Sequence, residues 1–109
     1  MSTLSAYRLM WIMTLFDLPT HTKAERKAAS KFRNYLLDQG FQMSQFSVYL
    51  RMVSGKEQAN TLYKRIKDNL PEGGRVDIVT ITDKQYENIY SFAGRVRQER
   101  KNPKQYTLF

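Results

Sequence analysis

An almost unbroken apolar run near the start of the chain restricts the fold more than any other feature. Residues 7–17 read Tyr-Arg-Leu-Met-Trp-Ile-Met-Thr-Leu-Phe-Asp, a composition typical of strands. Because both alternating sets of positions are apolar, we predict a strand that is buried on both faces and therefore central in its sheet. The longest apolar stretch, residues 9–16, is far too short to cross a bilayer, and we expect no membrane partner.

Helix and strand signals then alternate. Thr22 and Glu25 have the spacing of a capping box, in which each side chain accepts a hydrogen bond from a backbone amide at the helix start. Apolar residues recur at helical spacing up to Gly40, which is expected to close the helix in the left-handed conformation. Residues 41–53 are strand-like, either as one bent strand or as a short strand at 41–43 followed by a longer one.

The second half of the chain repeats this order. Ser54 and Glu57 predict another capping box and a second amphipathic helix. A turn cluster at residues 71–74 precedes a strand over residues 75–82. A short helix is expected to follow over residues 83–90, with three side chains facing inward: Tyr86, Ile89 and Tyr90.

The order strand, helix, strand, helix, strand predicts an α+β fold. We expect a ferredoxin-like βαββαβ sandwich, with helices on one face of an antiparallel sheet. Since the first strand is apolar on both faces, a monomer would leave one apolar set in water, and we expect two copies to pack sheet to sheet as a homodimer. The alternative is that the short helix and the tail cover this face within one chain.

The charge balance indicates a polyanionic partner. The chain has 18 Lys and Arg against 10 Asp and Glu, a net charge of +8 over 109 residues, and nucleic acid is the simplest match. The length allows one domain, with a ferredoxin-like part at 1–93 and a basic extension at 94–109. With no cysteine, disulfides, thiolate zinc sites and iron–sulfur clusters are excluded, which agrees with a cytoplasmic location.

The basic residues fall into three groups, near the start of helix one, on helix two at residues 64–67, and in the extension. No base-reading motif accompanies them, so we expect contacts to phosphates rather than to bases. The extension ends in the strand-prone run Tyr106-Thr107-Leu108-Phe109. The expected nucleic-acid-binding residues are Lys23, Arg26, Lys27, Lys31, Arg95 and Arg97.

Among the acids, Asp17 is the informative one because it ends the most apolar strand. The alternative is that it only starts the turn that follows. Most catalytic templates are absent, and the single histidine, His21, lies in a polar loop where it is expected to be solvated. One carboxylate makes a poor magnesium site, and no second one lies near Asp17 in the sequence. A two-fold axis could pair two copies of Asp17 around a divalent cation that activates water or clamps a phosphodiester.

Ser47 is the second candidate, in the segment Gln45-Phe46-Ser47-Val48-Tyr49. It alternates with Phe46 and Val48, so it points away from the helix-facing core if those residues point inward. We expect it to support the site, or else to be a small residue that permits close packing at the sheet surface.

Three segments together resemble the CRISPR-associated protein two family (Cas-two), the small core subunits of the spacer-acquisition machinery. They are Leu15-Phe16-Asp17-Leu18-Pro19, Gly40-Phe41 and Gln45-Phe46-Ser47-Val48-Tyr49. The resemblance extends over about residues 7–109 and is strongest to members that accompany type II systems. It implies a ferredoxin-like homodimer flanked by the integrase subunit (Cas-one), in a complex that captures foreign DNA and inserts it into the CRISPR array.

The resemblance also implies a nuclease that depends on magnesium or another divalent cation and cleaves RNA or double-stranded DNA. The family's metal-binding aspartate at the dimer interface matches Asp17, and its DNA-contacting basic residues correspond approximately to Lys23, Arg26 and Lys27. Asp17 is followed by Leu-Pro-Thr-His rather than by an arginine-rich stretch, which shifts the expected phosphate contacts toward the tail. The family's C-terminal strand crosses to the partner subunit, a role that would fall to Tyr106, Thr107, Leu108 and Phe109.

Three functions follow as hypotheses. The first is a dimeric subunit that holds duplex DNA while the integrase performs the chemistry. The second is a metal-dependent phosphodiesterase with paired Asp17 carboxylates. The third is a ferredoxin-like RNA-binding or regulatory domain outside CRISPR, which predicts stacking aromatic residues on the exposed sheet face.

Overall fold

The computed structural model describes residues 9–94 and the backbone of residues 96–98. The strands and helices follow the predicted order, and a two-stranded hairpin follows them near the C-terminal end of this part. The elements are β1 (Met10–Asp17), α1 (Lys23–Asp38), β2 (Gln42–Gln45), β3 (Val48–Val53), α2 (Lys56–Lys67), β4 (Arg75–Thr82), α3 (Asp83–Glu87), β5 (Ser91–Ala93) and β6 (Val96–Gln98).

The main sheet has the strand order β2-β3-β1-β4. β1 lies inside the sheet and pairs antiparallel with both β3 and β4, as its two-sided apolar sequence predicts. β2 and β3 also pair antiparallel, with a register shift between Met43 and Gln45. This is the arrangement of a ferredoxin-like sandwich, so the predicted α+β fold class is confirmed.

The two long helices cover one face of this sheet. From β1, Ile12 and Phe16 enter the main core, where the ring of Phe16 meets the ring of Phe32 edge to face with centroids 5.4 Å apart. Each large apolar side chain buried in this way contributes about 1.5–3 kcal/mol to stability. The other buried core residues are Leu36 from α1, Ala59, Leu62 and Ile66 from α2, and Phe41, Tyr49 and Val53.

The ends of α1 are formed as predicted. The Thr22 hydroxyl accepts a hydrogen bond from the Glu25 amide at 3.1 Å, and the Glu25 carboxylate accepts one from the Thr22 amide at 2.9 Å. At the other end, Gly40 has φ +87°, and the amide of Phe41 donates to the Leu36 carbonyl at 3.0 Å. This turn directs Phe41 into the main core.

The predicted capping box of Ser54 and Glu57 is wrong. α2 has Gly55 as its N-cap, without a side-chain cap, and Glu57 is therefore the second helical residue rather than the third. The third is Gln58, whose Oε1 accepts hydrogen bonds from the Ser54 amide at 2.8 Å and the Ser54 hydroxyl at 3.2 Å. Gln58 thus accepts the hydrogen bond from the Ser54 amide that the sequence pattern predicted for Glu57.

The short helix α3 packs on the opposite face of the sheet from the long helices. Its Tyr86 is buried and stacks on Trp11, with ring centroids 4.0 Å apart, and the Trp11 Nε1–H donates to Asp83 Oδ1 at 2.8 Å. α3 is shorter than predicted, and the inward orientation predicted for Tyr90 is wrong because that side chain is 70 % exposed. Tyr86 and Ile89 do face inward. The alternative of a face covered within one chain is therefore correct for the Trp11 end.

Several predictions lie outside the described residues. These are the strand start at residues 7–8, Arg95, and the partner-contact run Tyr106, Thr107, Leu108 and Phe109; for Arg97 only the backbone, in β6, is described. The division at residue 93 stays a prediction. Within the described part, no helix is long and apolar enough to cross a membrane.

Candidate metal and nucleic-acid site

An open cleft of about 290 Å³ lies at the end of the sheet where β1 finishes. The start of β3 and the start of β4 meet β1 there, because both pair antiparallel with it. Both sequence candidates for the site, Asp17 and Ser47, line this cleft. The full lining is Leu15, Phe16, Asp17, Ser47, Val48, Arg75 and Asp77.

Asp17 is the last residue of β1 and is exposed. It pairs in register with Arg75, and the chain before Arg75 approaches it closely. A Cβ placed on Gly74 would lie 2.6 Å from the Asp17 carbonyl oxygen and 3.0 Å from the Leu18 Cα. Only a residue without a side chain therefore allows this close approach to the Asp17–Leu18 peptide, and Gly74 also has φ +76°, which disfavours a side chain.

Ser47 reaches the cleft through a turn rather than through a strand. It lies between β2 and β3 with φ +71°, a left-handed conformation that is unusual for a residue other than glycine. The Phe16 amide donates a hydrogen bond to the Ser47 carbonyl at 3.1 Å. Its backbone thus contacts the residue that precedes Asp17, and its supporting role stays a prediction. The strand alternation predicted at this position is wrong, because Ser47 lies in a turn.

Asp77 is the cleft residue that sequence reasoning missed. It lies opposite Leu15 on β4, two residues after the partner of Asp17, and so lies on the same face of the sheet as Asp17. Sixty positions separate the two acids in the chain, and only the β1–β4 register brings them together. Asp77 forms the one ion pair between described residues, with Arg75 Nε at 3.1 Å from Oδ2.

An apolar strip leads from the centre of the sheet to this cleft. We call it the open strip, and it consists of Met13, Leu15, Val48 and Val79. These residues share the face opposite the long helices, since Met13 pairs with Val79 and Leu15 with Val48. Met13, Leu15 and Val48 are half-buried and Val79 is 43 % exposed. The strip is a part of this face that α3 leaves accessible. Met13 also packs against the buried cluster of Trp11, Leu50 and Tyr86, and Met52, the register partner of Trp11, is 37 % exposed.

Three of the expected nucleic-acid-binding residues form a row on α1. Lys23, Lys27 and Lys31 are all exposed and follow one another at every fourth position, about 6 Å apart along the helix axis. Within the described residues none of them forms an ion pair. The row lies on the helical layer, whereas the open strip lies on the opposite face of the sheet.

Arg26 differs from these lysines because it stabilises the loop between β1 and α1. Its Nη1 donates to the carbonyl oxygens of Thr20 at 3.1 Å and His21 at 3.2 Å. In the same loop, hydrogen bonds from the amides of Thr22 and His21 hold the pKa of Glu25 below its usual value of 4.5. The exposed His21 makes these contacts through its backbone.

The family model described as CRISPR associated protein Cas2 matches residues 10–89. The chain belongs to the Cas2 family. The CRISPR-associated endoribonuclease Cas2 of Paracidovorax avenae is 58 % identical over 107 residues, covering 97 % of this chain and 99 % of that relative. Its namesake in Flavobacterium psychrophilum is 47 % identical over 94 % of this chain and 89 % of the relative. A third, from Parvibaculum lavamentivorans, is 43 % identical over 92 % and 100 %.

Family membership confirms the resemblance inferred from the three sequence segments and gives this Cas2-family chain a CRISPR-associated role. The matched residues include the whole cleft, from Leu15 to Asp77.

A divalent cation, which the resemblance to this family implies, can be tested against the donors in the cleft. Among the described residues, no group of three or more His, Cys, Asp or Glu converges. Asp17 nevertheless offers an exposed carboxylate, and no described residue forms a hydrogen bond or ion pair with it. Mg²⁺ is usually held by one or two carboxylates together with waters and phosphates. Asp17 therefore fits as one ligand of a hydrated cation, whose other ligands would be waters, phosphates or a second carboxylate.

Proposed function

We propose that this chain is the DNA-holding subunit of a CRISPR spacer-acquisition complex. In this proposal it acts as a homodimer that bridges the integrase (Cas-one) subunits and binds double-stranded DNA. The observation that carries the proposal is that the uncovered part of the sheet face is apolar and ends at Asp17. Membership of the Cas2 family supports the CRISPR-associated part of it.

The open strip supports the homodimer. Apolar side chains at the centre of a sheet face are stabilised when a second surface excludes water from them. Because α3 already covers the Trp11 end, a second copy docks at the end near Asp17. A two-fold dimer uses the same patch on both copies, and its two Asp17 carboxylates approach each other if the shared axis passes through the Asp17 end of the patch.

The lysine row on α1 supports nucleic-acid binding. In such a dimer the sheets face each other and the helical layers face outward, so Lys23, Lys27 and Lys31 stay accessible. Together with a net charge of +8, they favour a duplex held through its phosphates without reading of sequence. Affinity should then fall roughly tenfold or more between dilute and moderate salt. Salt-independent binding would contradict this part of the proposal.

A metal-dependent phosphodiesterase is the second candidate function, and the unpaired carboxylate of Asp17 favours it. The relatives described above carry the name endoribonuclease, which makes single-stranded RNA a substrate to test beside duplex DNA. A bound magnesium ion would activate water or neutralise the charge on a phosphodiester. Asp17 would hold this ion and Ser47 would fix the strand before it, whereas the lysine row on the helical layer would contact phosphates away from the one that is cleaved.

The composition of the open strip argues against an RNA-binding domain outside CRISPR. Such a domain would present aromatic side chains for stacking on its exposed sheet face. The described residues of the strip are aliphatic, and the aromatic residue on the same face, Trp11, is 3 % exposed beneath Tyr86.

The variant Asp17→Asn distinguishes the scaffold function from the phosphodiesterase function. Asp38→Asn is the matched control, because it removes the same charge from an exposed position at the end of α1. If Asp17→Asn abolishes cleavage of RNA and DNA while the dimer still supports spacer acquisition, the chain acts as a scaffold. Loss of acquisition in a folded, dimeric Asp17→Asn protein would overturn the scaffold function and favour the phosphodiesterase.

Val79→Lys tests the dimer surface. Placing a charge in the centre of the open strip should convert the dimer to a monomer in sedimentation velocity at micromolar concentration. Asn60→Lys adds the same charge at an exposed position on α2 and should leave the dimer intact. A wild-type protein that sediments as a monomer would contradict the homodimer.

A further inference from the structure

Asp17 and Arg75 face each other across the β1–β4 pair. They are direct register partners, so their Cβ atoms lie about 4.5–5.5 Å apart on the same sheet face. A carboxylate and a guanidinium in this position ordinarily form an ion pair, since opposite charges placed directly across a strand pair attract each other. Such a pair would place a permanent cation on the carboxylate that is proposed to bind a metal.

The guanidinium of Arg75 is instead directed toward Asp77. Arg75 Nε donates to both carboxylate oxygens of Asp77, at 3.1 Å to Oδ1 and 3.1 Å to Oδ2. Asp77 is the diagonal neighbour of Asp17, because it follows the register partner by two residues on the same face. Asp17 is left without a hydrogen bond or ion pair from any described residue.

We propose that Asp77 is a positioning residue for the metal site: it holds Arg75 and so keeps the Asp17 carboxylate free for a divalent cation. This inference deepens the proposed function and rests on it. Arginine stays protonated at any physiological pH, so it cannot release Asp17 by titration. A second acceptor on the same strand is therefore the means by which the arginine and the metal ligand can share one cleft.

The proposal predicts how much metal binding depends on Asp77. Without its carboxylate, the guanidinium of Arg75 turns to Asp17 and competes with the metal. A single charge at about 4 Å in a water-like medium changes an equilibrium about fivefold. Asp77→Asn should therefore weaken the binding of Mn²⁺ about fivefold, and the loss should shrink at 1 M salt because screening acts strongly on exposed charges.

The test is titration calorimetry of Mn²⁺ into the full-length wild-type protein, Asp77→Asn and the double variant Arg75→Gln/Asp77→Asn. Removing Arg75 as well should restore the wild-type affinity. If the double variant stays as weak as Asp77→Asn, Asp77 is itself a metal ligand and the proposal is wrong. It is also wrong if Asp77→Asn binds Mn²⁺ as well as the wild-type protein does.

Two controls complete the test. Glu72→Gln removes one negative charge from the loop before β4 without releasing Arg75, and it should leave Mn²⁺ affinity unchanged. If Glu72→Gln weakens Mn²⁺ binding as much as Asp77→Asn does, the loss of net charge alone explains the effect and the proposal is wrong. Thermal melting should change little in Asp77→Asn, because an exposed ion pair contributes little to stability.

Asp17→Asn distinguishes this inference from the proposed function. If that variant binds Mn²⁺ normally, the metal does not lie at Asp17, and both the phosphodiesterase function and the role of Asp77 fail. If it loses Mn²⁺ while Asp77→Asn binds normally, the metal site stands and only the role of Asp77 is wrong.

Discussion

Gly74 packs directly against the backbone of Asp17, so that a methyl group on Gly74 would lie 2.6 Å from the Asp17 carbonyl oxygen. The neighbouring Gly73 has nearly the same φ, +73° against +76°. A methyl group on Gly73 would meet only the Pro19 Cγ, at 3.6 Å, which is an ordinary van der Waals contact. Both glycines therefore have a backbone conformation that disfavours a side chain, but only Gly74 also lacks the space for one.

This pair gives a prediction with a built-in control. Gly73→Ala should cost about 1 kcal/mol in the free energy of unfolding, because an alanine in the left-handed region is strained. Gly74→Ala carries the same strain and also displaces the Asp17–Leu18 peptide, so it should cost about 2–4 kcal/mol. Urea unfolding measures both losses. NMR amide shifts at Asp17 and Leu18 should change in Gly74→Ala only, and equal effects of the two variants would contradict the close approach.

Glu25 makes stability depend on pH in a definite direction. Hydrogen bonds to its carboxylate, the one from the Thr22 amide foremost, lower its pKa in the folded protein below 4.5. The folded state therefore binds this proton less readily than the unfolded state. The stabilisation is fully present above about pH 4.5 and is lost as the pH falls through the lower, folded-state value.

Glu25→Gln tests this dependence because glutamine can also complete a capping box but does not titrate. Urea unfolding from pH 3 to pH 6 should give a flatter stability profile for the variant than for the wild-type protein, with the difference confined to the acidic end. Identical profiles would show that the pKa of the Glu25 carboxylate does not change on folding.

Thr14 buries its side chain completely in the middle of β1, and its Oγ1 forms no hydrogen bond with the described residues. An unpaired buried hydroxyl costs stability, so Thr14→Val should raise the free energy of unfolding by about 1 kcal/mol. Thr14→Ser keeps the hydroxyl and removes the methyl group, and it should lower stability by about 1 kcal/mol. Urea unfolding checks both, and a destabilised Thr14→Val would show that the hydroxyl has a partner in solution.

The lysine row on α1 should account for part of the salt dependence of DNA binding. Each phosphate contact contributes about one unit to the slope of log affinity against log salt concentration. Lys27→Gln/Lys31→Gln should therefore reduce the magnitude of this slope by about two. Lys56→Gln/Lys84→Gln removes two exposed charges from other elements and should leave the slope nearly unchanged. Fluorescence anisotropy with a labelled duplex at several salt concentrations gives the slopes, and equal slopes for both variants would exclude α1 as the contact surface.

The sequence predicts the features of this fold that depend on local pattern. The apolar run of β1 predicts its inner position, and the spacing of Thr22 and Glu25 predicts the start of α1. The prediction at Ser54 is wrong because Gly55, not Ser54, is the N-cap, which moves the third helical position from Glu57 to Gln58. A single glycine shifts the helix start and exchanges the roles of Glu57 and Gln58.

The site was predictable only in part. Asp17 could be found because it ends the most apolar strand, whereas the contribution of Asp77 depends on the register between strands that are distant in the chain. The turn at Ser47 could not be predicted, because apolar and polar residues keep alternating through the two turn residues as they would in a continuous strand. The position of α3 on the opposite face depends on the stacking of Tyr86 on Trp11, which no local pattern encodes.

The strand order has a consequence for how the chain is made. β1 is synthesised first, yet it lies between β3 and β4, and β4 is complete only at Thr82. At about 5–20 residues per second, the ribosome needs about 3–13 seconds to add the intervening segment. During this time the most apolar strand of the protein lacks one of its neighbours. The complete sheet can therefore form only after Thr82 has been added, although its central strand is made before the other three.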